Sequence, residues 1–173
     1  MKTVRMNLYE YHELSPESQD RAAEQFANST TDYAWWEYVC DMADSNDVKI
    51  TEFDLDHGFI KGSLKTDVFT ICRDMVKHCE RSMALYKLAR GTIRDLWSSR
   101  REWIAAAVDD ADEYFEESRE YDDIETEFTR EVLEEYLIIL RKEYDYLTSR
   151  ECIASMISGN GYLFTENGEH FEV

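Results

Sequence analysis

The stretch VKITEFDLDHGFIKGSL, Val48 to Leu64, decides the fold. From Val48 to Leu55 apolar and polar side chains alternate with the period of two that a half-buried strand requires, because successive side chains leave opposite faces of the pleat. Asp56-His57-Gly58 then supplies turn chemistry, and Phe59-Ile60-Lys61-Gly62-Ser63-Leu64 reads as the returning strand. A β-hairpin is therefore expected near the centre of the chain.

On either side of it the period changes. From Val68 onward Ile71, Cys72, Met75 and Cys79 mark one helical face, which Met83, Leu85, Leu88, Ile93, Leu96 and Trp97 continue, with Gly91 as the expected weak point. A long amphipathic helix is expected from about Ile124 to Leu147, carrying Phe128, Val132, Leu133, Tyr136, Leu137, Leu140 and Tyr144 inward. A short helix capped by Thr148 or Ser149 should then stop near Gly159. Tyr162 to Thr165 and Glu169 to Glu172 flank Glu166-Asn167-Gly168, which predicts a second hairpin with an Asn-Gly turn.

Before the central hairpin, Val4, Met6 and Leu8 alternate with Thr3, Arg5 and Asn7, predicting a strand from Lys2 to Tyr9. Ser15-Pro16-Glu17 combines an N-cap, a proline at the first helical position and an early acid, opening a helix to about Ala27 with Ala22, Ala23 and Phe26 inward. A second cap signal at Thr31-Asp32 predicts a helix to Asn46 with Tyr33, Trp35, Trp36, Val39, Cys40 and Met42 on its apolar face. Adjacent helix positions point about 100° apart, so one of Trp35 and Trp36 belongs in the core and the other is partly exposed, where it could anchor a partner. The expected class is α+β: a small antiparallel sheet from the N-terminal strand, central hairpin and C-terminal hairpin, packed with a layer of long helices.

At 173 residues, 43% hydrophobic and 13% aromatic, the chain has material for one core, so a single domain over residues 1–173 is expected. The four cysteines, Cys40, Cys72, Cys79 and Cys152, are scattered behind an N-terminus without an apolar signal region, and they read as reduced thiols of a cytoplasmic protein. No apolar run approaches the roughly 18 residues of a transmembrane helix. The 38 acidic and 19 basic residues give a net charge of −19, far beyond the magnitude of about 2 to 8 that suits a small domain. Such a field attracts basic surfaces and repels nucleic acid and anionic lipid, so neither direct nucleic-acid binding nor a membrane is expected.

The charge is unevenly spread. Between Asp109 and Glu135 fourteen carboxylates face two arginines, a net −12, whereas Arg73 to Arg101 holds eight basic residues and three acids, a net +5. If the acidic 27 residues were all helical they would span about 40 Å, one net charge per roughly 3.4 Å, close to the axial charge spacing of one DNA strand. A nucleic-acid mimic is physically feasible on that spacing. A solvated helix face is the commoner origin of such a run, and pairing with the Arg73–Arg101 segment would neutralise it. The candidate partner-binding residues are Asp109, Asp110, Asp112, Glu113, Glu116, Glu117, Glu120, Asp122, Asp123 and Glu127.

Catalytic and metal signatures are weak. Asp54-x-Asp56-x-Gly58 opens like a calcium loop, but Phe59 and Lys65 stand where an EF-hand needs glycine and glutamate, so a hairpin turn is the better reading. Cys72, His78 and Cys79 lie close together, yet Cys72 and Cys79 fit an apolar helix face and have no second cysteine pair. His12, His57 and His170 have no serine or cysteine motif around them, and no phosphate-binding glycine loop occurs. No cofactor, metal or catalytic residue is expected. Carboxylate pairs are too abundant for any one of them to inform.

Several segments resemble a family of small phage and prophage proteins. They are Leu14-Ser15-Pro16-Glu17 through Ala22-Ala23, Trp35-Trp36-Glu37, Ile50 to Asp56 with Lys61-Gly62, Glu143 to Ser149, and Asn160 to Gly168. The resemblance covers both ends and most of the first 65 residues, and Arg150 departs from the acidic residue of the pattern. It implies a phage accessory protein, occasionally labelled an antitoxin, and carries no mechanism. Three functions follow as expectations. The first is a counter-defence inhibitor whose acidic helices occupy a basic groove of a host CRISPR or restriction complex. The second is an antitoxin or regulatory partner, and the third an enzyme using carboxylates. The first is preferred, with a basic host protein or nucleoprotein complex as partner, and oligomerisation is left open.

Overall fold

The computed structural model describes residues 6–105 and 118–172. Along the chain run β1 (Tyr9–Glu10), a 3-10 turn (Tyr11–Glu13), α1 (Pro16–Gln25), α2 (Glu37–Ser45), β2 (Val48–Asp54), β3 (Phe59–Leu64) and α3 (Val68–His78). They are followed by α4 (Ala84–Ala105), α5 (Arg119–Leu147), α6 (Arg150–Gly159), β4 (Leu163–Phe164) and β5 (His170–Phe171). The class is α+β. The strands divide between a three-stranded antiparallel sheet, ordered β1-β4-β5, and the two-stranded hairpin β2-β3. Two compact units result, one of residues 36–141 and one of residues 1–35 with 142–173.

In the contiguous unit the hairpin pairs Val48 with Leu64, Ile50 with Gly62 and Phe53 with Ile60. A bulge between Ile50 and Glu52 corrects the expected unbroken alternation by one residue. It is needed because Phe53 lies three residues beyond Ile50, and without an extra residue the two would leave opposite faces. The turn closes on Asp54, whose carboxylate accepts from the His57 backbone N–H at 2.9 Å, with Gly58 at φ 65°. Helix α5 lies against this hairpin. A Cβ at Gly62 would come within 2.7 Å of Leu133 Cδ2 and would strike the Lys49 carbonyl oxygen, so only glycine lets the helix approach. Arg141 Nη2 donates to the Leu55 carbonyl at 2.7 Å, and Asn46 Nδ2 donates to the buried Tyr136 hydroxyl at 3.0 Å.

Helix α3 starts where Asp67 accepts from the Thr70 N–H at 2.8 Å, and it packs on α4. Val68, Ile71, Cys72 and Met75 meet the core there, as do Leu85, Tyr86, Ala89 and Leu96 of α4. The expected break at Gly91 is absent: α3 ends at an extended Cys79, and α4 begins at Ala84. Polar Glu80, Arg81 and Ser82 separate the two apolar runs, whereas a lone glycine within a long helix costs only about 1 kcal/mol. Met83 and Trp97, expected on the inward face, are exposed.

The second unit is closed by its ends. Ser15 Oγ accepts from the Ser18 N–H at 3.2 Å, with Pro16 leading α1. Tyr11, Leu14, Ala22, Ala23, Ile153, Ile157 and Phe164 form one buried cluster, with Phe26 packed on it. Ser149 caps α6 through the Cys152 N–H. Gly168, at φ 82°, sits so close to Ser18 that a Cβ would strike its carbonyl. Ser18 Oγ donates to the Glu166 carbonyl at 2.8 Å, and Gln25 brackets the hairpin, donating to the Gly168 carbonyl at 2.7 Å and accepting from the His170 N–H at 3.0 Å.

Two further expectations are corrected here. Met6, Asn7 and Leu8 are not strand, and β1 is Tyr9–Glu10; residues 2–5 of the expected strand lie outside the described residues. Thr31 does not cap a helix, because its hydroxyl donates to the Asn28 carbonyl at 3.3 Å within a run of turns. Helix α2 starts instead where the Trp36 carbonyl accepts from Val39 and Cys40. Trp35 is the buried member of the pair at 9% exposure and lies beside Tyr144, while Trp36, at 39%, meets the Phe53 ring edge-on.

Gly62→Ala should destabilise by about 1–3 kcal/mol through overpacking against Leu133 and Lys49. Gly91→Ala, whose Cβ would meet nothing within 4 Å, should stabilise by about 0.5–1 kcal/mol. Urea unfolding of the two variants measures both, and equal effects of one sign would refute the packing argument.

Candidate functional site

Helix α5 carries the described part of the acidic run. Phe128, Val132, Tyr136 and Leu140, four residues apart, are buried together with Leu133, which turns the intervening positions to solvent. Ser118 Oγ accepts from the Tyr121 N–H at 3.2 Å, and Glu120 and Asp122 lie in the first turn. Carboxylates there complement the partial positive charge of the helix start, typically by 0.3–1 kcal/mol each in order of magnitude, so part of the acidity has a structural cause.

Four of the ten candidate residues can be placed. Glu120, Asp122, Asp123 and Glu127 are all exposed on α5. Asp109, Asp110, Asp112, Glu113, Glu116 and Glu117 lie outside the described residues. Glu120, Asp123 and Glu127 follow one side of the helix at steps of three and four, Asp122 leaves it toward the groove described below, and the four do not converge on a single point. Glu127 is the one with a cation at hand: Arg130 Nη2 meets its Oε1 at 2.5 Å, while Nη1 reaches Glu134 at 2.7 Å. Hydrogen bonding from Arg130 holds the Glu127 carboxyl below its usual range, and the two glutamates raise the Arg130 guanidinium. This i, i+3 and i, i+4 cage removes one of the expected free charges. Glu134 belongs to the same exposed face and is an addition to the candidates.

From Arg119 to Glu135 eight carboxylates accompany two arginines. Over about 25 Å of helix that is one net negative charge per roughly 4 Å. Beside this face runs a groove of about 970 Å³ walled by β3 and α5. Thr51, Ser63, Thr126 and Thr129 line it with hydroxyls, Phe59 and Leu133 with apolar surface, and Asp122, Glu125, Lys61 and Arg130 with charge. The groove was not foreseen, since it arises from the approach of α5 to Gly62 across a sequence separation that no local pattern encodes.

Asp54 Oδ2 lies 2.7 Å from His57 Nδ1, and both side chains are exposed at the hairpin turn. The Cys72 thiol is pushed up to about 12 by burial, and burial also raises Cys79 and, with its neighbouring acids, Cys40. All four cysteines are free thiols. Among the described residues no group of three or more histidine, cysteine or carboxylate side chains is placed to hold a metal, and no helix is long and apolar enough to cross a membrane.

No family model matches this chain, and no curated protein or solved structure shows significant similarity to it.

The hydrogen bond that the His57 ring gives to the Asp54 carboxylate raises the His57 pKa, and the same contact lowers that of Asp54, the backbone bond from His57 being the larger cause for the acid. The His57 contribution to stability is therefore complete below about pH 6.5 and is lost as pH rises through the raised folded value. A proton NMR titration should place His57 above about 6.5, and Asp54→Asn should return it to that ordinary value. An unchanged midpoint in the variant would rule out the pairing.

Proposed function

We propose that this protein acts by binding, as an acidic accessory inhibitor whose carboxylate-lined helix occupies a basic surface of a host nucleic-acid-handling complex. The observation that carries the reading is the exposed row Glu120, Asp123 and Glu134 on α5, with exposed Asp122 at the groove beside it, in a chain of net charge −19. A helix with one net charge per about 4 Å, counted over all its sides, approaches the linear density of a single nucleic-acid strand, about 3.4 Å per charge. A groove evolved for phosphates would accept it through the same lysines and arginines, and opposite fields would speed the encounter.

The resemblance to phage and prophage proteins supplies the setting: a CRISPR or restriction complex of the host cytoplasm is the natural basic target of such an inhibitor. Binding requires neither a cofactor nor a catalytic residue in this protein. The adjacent groove, with its threonine hydroxyls and mixed charges, would take side chains projecting from the rim of the partner's basic surface.

Expression of the protein in a host with an active restriction or CRISPR system should raise the plating efficiency of a targeted phage. Glu120→Lys, Asp122→Lys and Asp123→Lys together should abolish the gain while circular dichroism stays unchanged. In vitro, the protein should compete with DNA for the purified complex, with affinity falling as salt rises. Protection that survives the triple reversal would refute the role of this face.

A further inference from the structure

The acidic helix has a counterpart of opposite sign in the same unit. Helix α4 carries Lys87, Arg90, Arg94, Trp97 and Arg101, all exposed, at offsets of 3, 7, 10 and 14 residues from Lys87. Steps of three and four keep these positions on one stripe. Phe69 of α3 meets Trp97 edge to face at 6.4 Å, and the Arg100 guanidinium lies 5.1 Å from the Trp97 ring centroid. Trp97 is 49% exposed and Phe69 37%. Exposed Arg73 and Lys77 follow Phe69 at successive turns of α3. In a chain of net charge −19, this is a concentrated cationic and aromatic face, rich in the residue types that carry binding energy in interfaces.

Helix α5 presents the same ladder with the signs reversed. Glu120, Asp123, Glu127, Arg130 and Glu134 are all exposed and stand at offsets of 3, 7, 10 and 14 residues from Glu120. Set side by side, parallel and in register, α4 of one molecule and α5 of another bring Lys87 to Glu120, Arg90 to Asp123, Arg94 to Glu127 and Arg101 to Glu134. At the remaining rung Arg130 meets the face of Trp97. Four opposite-charge pairs and one cation–π contact then lie along about 21 Å of helix. Arg130 already holds Glu127 and Glu134 in place, which reduces the ordering cost that weakens most exposed pairs.

We infer that the α4 stripe is the docking face for helix α5 of a second copy of this chain, in a weak and salt-sensitive self-association. A single-stranded nucleic acid also suits a face of cations and aromatics. Its phosphates, however, offer the same charge at every rung, whereas the rung where α4 has an aromatic is the one where α5 has a cation. The like net charges of two copies do not forbid contact, since at physiological ionic strength charges beyond about 8 Å are largely screened. The inference does not rest on the proposed function. It does add a consequence: a second copy and a basic target would compete for the same carboxylates.

Sedimentation of the full chain up to about millimolar concentration tests it, in about 0.1 M and about 1 M salt, where the screening length falls from about 10 to about 3 Å. Wild type should associate in the lower salt and dissociate in the higher. Reversal of α4 (Lys87→Glu, Arg90→Glu, Arg94→Glu) or of α5 (Glu120→Lys, Asp123→Lys, Glu127→Lys) should each weaken association by on the order of tenfold to a hundredfold, the worth of about three exposed pairs. Mixing the two reversed chains should restore it, because each then offers a stripe that complements the other. Circular dichroism checks that each variant folds, and the salt series on wild type decides if one does not. A wild type that stays monomeric throughout, association that survives both reversals, or a mixture that stays monomeric overturns the inference. So does a monomeric wild type that binds a single-stranded oligonucleotide through α4, with binding lost on α4 reversal.

Discussion

The close approach of helix α5 to the central hairpin is the contact on which the contiguous unit depends. It requires that position 62 carry no side chain, since the space is filled by Leu133 and the Lys49 carbonyl. Once the helix is seated, Phe128, Val132, Tyr136 and Leu140 are buried, each contributing roughly 1.5–3 kcal/mol where the side chain is fully apolar. The positions between them have no choice but solvent. The acidic ladder is thus the far side of a packing constraint: burying one stripe of α5 fixes where Glu120, Asp123, Glu127 and Glu134 point.

Much of this architecture could be read in the chain. The hairpin, the Ser15-Pro16 start of α1, the Ser149 cap and the Asn-Gly turn all rest on interactions within a few residues, which sequence records directly. What escaped reading depends on distant partners. The bulge near Thr51 serves to bring Phe53 to the same face as Ile50; two polar residues in succession, Thr51 and Glu52, record it, and a reading of unbroken alternation passes over them. Thr31 looks like a cap but spends its hydroxyl on Asn28. The division of strands between two sheets is a tertiary outcome, as is the groove beside Gly62. In the candidate site, the Glu127–Arg130–Glu134 cage was legible from spacing alone, though a count of carboxylates passed over it.

Among the described residues of α4 and α5 the two signs of charge predominate on different helices. Each lies along its own helix, on positions the core leaves free, and the described ion pairs of α5 acids are made with Arg130 of the same helix. Like charges so aligned repel one another and destabilise the compact state. Some of that cost is offset at the start of α5, where acids meet the exposed N–H groups of the first turn. The remainder is what makes the surface reactive toward an opposite charge, whether on a target or on another copy.

The second unit joins β1 and α1 to a hairpin formed by residues 163–171, with Ser18 and Gln25 gripping the turn. During synthesis the contiguous unit can therefore form first, while β1 and α1 wait for a hairpin that is made after it. Through that interval Tyr11, Leu14 and Phe26 have no core to enter, and the newborn chain shows apolar surface to chaperones and proteases. Loss of the β4–β5 hairpin, by a stop before it or by clipping, would leave that same surface bare in the finished molecule and mark it for degradation.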